Sequence, residues 1–181
     1  LLSFSHAAFL GVGSYLTGMG IVHAKMPWGL AILVGVVAAT VVGAAVGWLA
    51  IRTRGIYFAM VTLALGQILY YAFYKAEAWT GGENGLRGVT VPVLDIGGFK
   101  LDFTQPTTKY YVIFVFVAAA VWLVSRILAA PFGAVMEAIR ENEKRAAACG
   151  YDVQRSKLLV FTLSAGLCGL AGSLRALHLS V

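Results

Sequence analysis

The sequence predicts an all-α fold: a polytopic transmembrane helix bundle of about five spans, with a helical loop on one side of the membrane and a small loop or hairpin on the other. Three observations predict it. Of the 181 residues, 60% are hydrophobic and 12% are charged, against about 25% charged in an average soluble domain. A soluble domain with so few charges would expose large apolar patches, which excludes an ordinary soluble enzyme, a disordered region and a disulfide scaffold. The acidic residues are also confined: four lie between Lys75 and Lys109 and four between Ser125 and Lys157, and the rest of the chain has none. Finally, there are 21 glycines, a residue more frequent in membrane helices than in soluble ones.

A membrane helix needs about 20 mostly apolar residues, because a rise of 1.5 Å per residue must cross roughly 30 Å. Leu1 to Val22 contains no Lys, Arg, Asp or Glu and is the first span. Trp28 to Ile51 follows, 24 residues without a charge. Gly55 to Tyr74 is the third, with Gln67 its most polar member. Tyr110 to Val124 is short at 15 residues, and reaches span length at Ala130 if Arg126 extends its guanidinium to the interface. Leu158 to Ala176 is the fifth. The first residue is apolar and no charged n-region precedes a cleavage site, so no signal peptide is expected. Both ends are expected to continue into a longer chain.

Basic residues set the orientation. Arg52-Thr53-Arg54 is a tight turn at one membrane face; if it is cytoplasmic, alternation makes 125–157 cytoplasmic, with the loop proper at 131–157, and 75–109 external. Eight Lys/Arg then lie on the cytoplasmic side and five on the external side, as the positive-inside rule requires. The same rule accounts for the net charge of +6 without nucleic acid. In the external loop, Thr80-Gly81-Gly82-Glu83-Asn84-Gly85 is a dense turn signal. Alternation around Gly97-Gly98, from Ile96 to Phe103, predicts a small hairpin.

The second span repeats a small residue every four positions, Ala31, Gly35, Ala39, Gly43 and Gly47. Ala165, Gly169, Gly172 and Ala176 do the same in the fifth. Such faces let two helix backbones approach closely, and close packing drives association in lipid. A tightly packed helix pair is expected, static or sliding. His6 and Gln67 are the costliest polar groups within spans and are expected to face the bundle interior, a wet cavity or, for His6, the interface. Both are candidates for a translocation pathway. Cys149 and Cys168 share no ligand spacing with a histidine and are expected to be small packing residues.

No phosphate loop, zinc pattern, nucleophile elbow or dinucleotide fingerprint occurs, and no carboxylate pair or arginine ladder lies within a span. The sequence therefore predicts no catalytic site, no cofactor and no metal, and any energy for work comes from another chain.

The loop after the fourth span is the informative segment. Ala134 to Cys149 is rich in good helix formers and is followed by Gly150, a residue suited to a helix C-terminus. It predicts one helix, with Glu141 and Arg145 paired one turn apart. Val135, Ile139, Ala146 and Cys149 share a face interrupted by Asn142. That face needs a cover: a protein docked from the cytosol or the membrane surface.

From Phe132 to Leu174, FGAVMEAIRENEKRAAACGYDVQRSKLLVFTLSAGLCGLAGSL resembles the cytoplasmic loop and following span of the branched-chain amino-acid ABC transporter permeases, the LivM-type family. HAAFLGVGSY at 6–15, RTRGIYFAMVTLALGQIL at 52–69 and TGGENGLRG at 80–88 are similar to that family's other blocks, in the same order. The resemblance implies a multi-pass permease of the bacterial inner membrane, itself not an enzyme. Its implied partners are ABC ATPase subunits, a second permease subunit, a periplasmic substrate-binding protein, membrane lipid and a small-molecule solute. It makes 134–150 the helix that couples to the ATPase, with Arg140, Glu141, Glu143, Ala147 and Gly150 as contacts. One departure stands out: the related importer signature puts Glu six residues before the glycine, where this chain has Lys144. Related importers of urea, short amides or sugars share these blocks, and a non-conducting scaffold or receptor subunit is the alternative of another class.

Overall fold

The computed structural model describes residues 3–53, 55–82, 94–96, 99–101 and 106–179. In chain order the elements are α1 (His6–Val22), α2 (Trp28–Ala50), α3 (Ile56–Lys75), α4 (Glu77–Thr80), β1 (Leu94–Ile96), β2 (Phe99–Leu101), α5 (Pro106–Ala129), α6 (Pro131–Glu141), α7 (Glu143–Ala148) and α8 (Val153–Leu179). The bundle is helical, as the composition predicts. Four helices, α2, α3, α5 and α8, are long and apolar enough to cross a membrane. The expected first span is shorter: α1 has 17 residues, a length of roughly 26 Å. Ahead of it, Ser3 and Ser5 bond to each other (3.0 Å), a local bond that competes with the helical ladder, and Phe4 N donates across to Thr62 Oγ1 of α3 at 3.4 Å.

α8 is the centre of the bundle. It lies against α1 and α2, which also lie against each other, while α3 flanks α1 and α2. Where the sequence predicts a close helix pair, the structure shows a three-helix junction. A Cβ at Gly43 would run into Ala165 Cβ, and one at Gly169 into Ala39 Cβ, so the two stripes meet as α2 on α8. Gly172 faces α1 instead, where a Cβ would strike the Leu10 carbonyl, and Gly13 of α1 faces the backbone of Gly169. A Cβ at Gly35 would lie 2.6 Å from Ser173 Oγ and 2.8 Å from Gly13 O, so all three helices converge there. Gly47 makes room for the Phe161 ring. Around this seam, Phe9, Val46, Ala50, Phe58, Phe161 and Ala165 form one apolar cluster, with Cys168 packed against it. Ile21, Ala31, Ile32, Leu174 and Leu177 form a second.

The junction has a polar node. Thr17 Oγ1 donates to Ser173 Oγ (2.8 Å), with Ala31 O at 3.3 Å, and Ser173 Oγ lies 2.9 Å from Gly169 O. Both side chains are wholly buried, so the hydroxyls are satisfied inside the bundle as lipid surroundings demand.

α5 stands at the side. No residue in its membrane-length window is buried, and its contact with the second cluster is made through Phe116. Its helix begins four residues before the expected Tyr110. α8 likewise begins at Val153, before the expected Leu158, because Asp152 caps it: Arg155 N donates to Asp152 Oδ1 at 3.0 Å and Ser156 Oγ to Asp152 O at 2.8 Å. β1 and β2 pair antiparallel, Ile96 opposite Phe99 and Leu94 opposite Leu101, at the predicted hairpin. Gly97, Gly98, Asp102, Phe103 and the turn residues Glu83, Asn84 and Gly85 lie outside the described residues.

Candidate functional site

One end of the bundle gathers the N-terminus of α1, the C-termini of α2 and α5, and the start of α8. Between them α6 and α7 form a bent segment. Ala130 is extended (ψ 161°) ahead of Pro131, the conformation a following proline favours, and Pro131 opens α6 at a position where its missing N–H costs nothing. Gly133 then passes so close to α5 that a Cβ would strike the Leu128 carbonyl. The corner between α5 and α6 therefore depends on glycine.

The single helix predicted over 134–149 is two helices. It starts earlier, at Pro131, and breaks at Asn142, whose backbone is extended (φ −156°, ψ 101°). The Asn142 side chain accepts from Arg145 N at 3.1 Å and so caps α7. Good helix formers on both sides hide this break, although asparagine is a favoured N-cap. The break places Glu141 and Arg145 on different helices, so their expected helical pairing is lost. Glu143 instead pairs with Lys157 of α8. α7 ends at Ala148, and Gly150 takes a left-handed backbone (φ 89°) with Tyr151 N returning to Ala146 O at 3.3 Å, a turn that glycine makes without strain.

The apolar face of this segment is also covered differently from expectation. α6 and α7 both rest on α8, and Ile139 and Ala146 are buried within the chain itself, so no outside partner is needed to cover them. Cys149, expected to pack, is exposed. Arg140, Glu141, Glu143, Ala147 and Gly150 are all exposed. All five candidate contacts are therefore open to a partner, although Glu143 is engaged by Lys157.

Between α5 and α8, above α6 and α7, lies an open cleft of about 1590 Å³. Its lining combines apolar residues such as Val124, Ile127, Val160 and Leu167 with charges of both signs, Arg140, Lys144 and Lys157 against Glu137, Glu141 and Glu143. His6 borders it: its Nε2 lies 2.8 Å from Oγ of Ser164, a cleft-lining residue, and its ring meets Phe9 and Phe161 edge-on. His6 is thus packed into the bundle end. Gln67, expected to face the interior, points away from it. The inner face of α3 is Phe58, Val61, Thr62, Leu65 and Leu69, and Gln67 falls on the opposite, exposed face. The structure does not bring His6 and Gln67 into one polar site. Among the described residues no group of three or more His, Cys, Asp or Glu is placed to hold a metal ion.

Membrane-length helices around a glycine seam, with a polar bent segment at one end, define a multi-pass α-helical membrane protein. The chain matches the family described as branched-chain amino acid transport system / permease component over residues 1–181, and it belongs to that family of transport permeases. It is similar to the high-affinity branched-chain amino acid transport system permease protein LivM of Salmonella typhimurium, 29% identical over 206 residues. The protein of the same name from Escherichia coli is 27% identical over 199 residues. Each match covers 97% of this chain and 46% of the relative, so the chain spans about half the length of the curated relatives it matches. No solved structure matches the chain.

Proposed function

We propose that this chain is the core of a permease subunit of an ABC importer that carries branched-chain amino acids across the inner membrane of a bacterium. It is not itself an enzyme. Energy comes from separate ATPase subunits, a second permease subunit completes the pathway, and a periplasmic binding protein delivers the solute. The observation that carries this reading is the α6–α7 segment: Ile139 and Ala146 of its apolar face are buried within the chain, while Arg140, Glu141, Ala147 and Gly150 are exposed. An exposed charged surface of this kind fits a soluble partner better than a lipid face, because its apolar residues are already used. In this reading the Arg52 turn and α6–α7 are cytoplasmic, 75–109 is external, and the ATPases displace the segment on nucleotide binding. The glycine seam passes that displacement along α8 to the gate.

The test uses proteoliposomes containing the full-length permease, its partner permease and the ATPases, with binding protein outside. ATP-dependent accumulation of leucine, isoleucine or valine that requires the binding protein is expected. Accumulation of urea, a short amide or a sugar instead would keep the importer and replace its solute. No accumulation with every subunit present would overturn it in favour of a scaffold. Charge reversal at Arg140 or Glu141, or deletion of 134–149, should reduce ATPase copurification; if neither does, the segment is not the docking surface.

A further inference from the structure

The bent segment is attached to two different helices. α6 continues α5 through the tight Ala130–Gly133 corner. α7 is fixed to α8 by the Glu143–Lys157 ion pair and by the short Gly150–Asp152 link, and the Asp152 cap makes the start of α8 firm. Between the two halves lies a single extended residue, Asn142. α5 and α8 approach each other far from this hinge, where Phe116 packs on the cluster containing Leu174 and Leu177. Nearer the hinge they are separated by the cleft. Lys157 is well suited to be a tie: its side chain is only 15% exposed, so it is screened less than a surface charge. It is not among the outward residues of the docking surface.

We propose that the Glu143–Lys157 pair is the positioning contact that makes α7 move with α8, so that α6 and α7 act as two levers hinged at Asn142. This rests on the docking role given above to the segment. A push on its outer surface changes the angle at Asn142. Because α6 is joined to α5 and packs mainly on it, while α7 is tied to α8, that angle sets the width of the α5–α8 cleft, with Phe116 as the fulcrum. Glu143, expected from the sequence to be a docking contact, then works inward. A single rigid helix would translate both spans together and leave the cleft unchanged.

The experiment measures solute imported per ATP hydrolysed in proteoliposomes of the full-length, complete transporter, together with ATPase copurification. Lys157→Glu breaks the tie and is expected to lower import per ATP severalfold while the ATPases still copurify. Adding Glu143→Lys to it restores the pair in reverse and is expected to recover most of the ratio. A wild-type ratio in Lys157→Glu, or no recovery in the double reversal, overturns the proposal. If Lys157→Glu lowers the yield of protein, Glu143→Cys with Lys157→Cys takes its place. In a Cys149→Ser background the ratio is then expected to be low before, and to rise after, a short bismaleimide joins the two thiols, its spacer spanning a gap set by two long side chains that a disulfide is too short to cross. Failure of that cross-link to form, or a ratio indifferent to it, also overturns the tie. Failure of the wild-type ATPases to copurify would instead strike the docking reading itself, and cross-link formation is read independently of it.

Discussion

Thr17 and Gly35 show at the scale of single residues which effect dominates the seam. Thr17→Val keeps the shape of the side chain and removes the donor to Ser173 Oγ. Ser173 keeps Gly169 O at 2.9 Å as an acceptor for its own proton, so no buried group is orphaned. Hydrogen bonds between membrane helices average about 0.6 kcal/mol and reach about 1.7, so Thr17→Val should cost roughly 1 kcal/mol or less. Gly35→Ala adds a single carbon, yet that carbon would strike Thr17 Oγ1 and lie 2.6 Å from Ser173 Oγ and 2.8 Å from the backbone Gly13 O. The backbones must part, and overpacking of this kind costs about 1–3 kcal/mol. Denaturation in mixed detergent micelles should therefore rank Gly35→Ala as more damaging than Thr17→Val; the reverse order would mean that the hydroxyls, not the close approach, hold the junction. The spacing of Gly35, Ala39 and Gly43 was legible because a period of four marks one helix face. Gly13 and Ser173 were not, because their role depends on a third helix arriving opposite them, and no spacing within one helix specifies its neighbour.

At the scale of elements, the break between α6 and α7 is the largest departure from what the sequence predicts. Composition favours helix on both sides, and local propensity cannot register that Ile139 and Ala146 are both buried within the bundle end. Burying both while Asn142 is extended is a tertiary choice. The cap supports it: Asn142→Ala removes the acceptor held by Arg145 N, and loss of such a cap costs about 1 kcal/mol. In hydrogen exchange, the Arg145 amide of that variant should exchange roughly five- to tenfold faster, with amides of α8 beyond Lys157 unchanged. An unchanged Arg145 amide would mean that the cap contributes nothing to the hinge. The ends of α5 and α8 show a milder form of the same lesson. Charge runs bound the apolar spans, but helices continue into polar sequence wherever a capping residue such as Asp152 closes them.

For the whole molecule, the number of long apolar helices was legible from hydropathy, since crossing roughly 30 Å imposes a length that composition reveals. Their arrangement was not. The small-residue stripe of α2, absent from α5, marks α2 for close packing but does not name its neighbours, and α5 buries none of its membrane-length window while α2 lies against both α1 and α8. The outward setting of Gln67 has the same origin, because the side of α3 that packs is decided by α1 and α2. The seam makes α8 the element on which the rest depends. Gly169→Leu would drive a branched side chain into Ala39 and the backbone of α2, with a cost of about 3 kcal/mol or more. The expected outcome is little folded protein recovered from membranes, whereas Gly169→Ala should be recovered at reduced yield. Equal yields of the two would show that the helices can separate freely at that point.

The central place of α8 has a consequence for how the chain is made. Ser173 meets Gly13 across 160 positions of sequence. At about 5–20 residues per second of synthesis, roughly 8–30 s pass between the emergence of one and of the other. During that interval α1 and α2 sit side by side in the bilayer with their glycine faces against lipid, and Thr17 has Ala31 O of α2 as its partner. The seam closes only when the last of the described helices is threaded in. Insertion of the bundle is therefore a waiting game, and α1 and α2 stay open to quality-control proteases until α8 arrives.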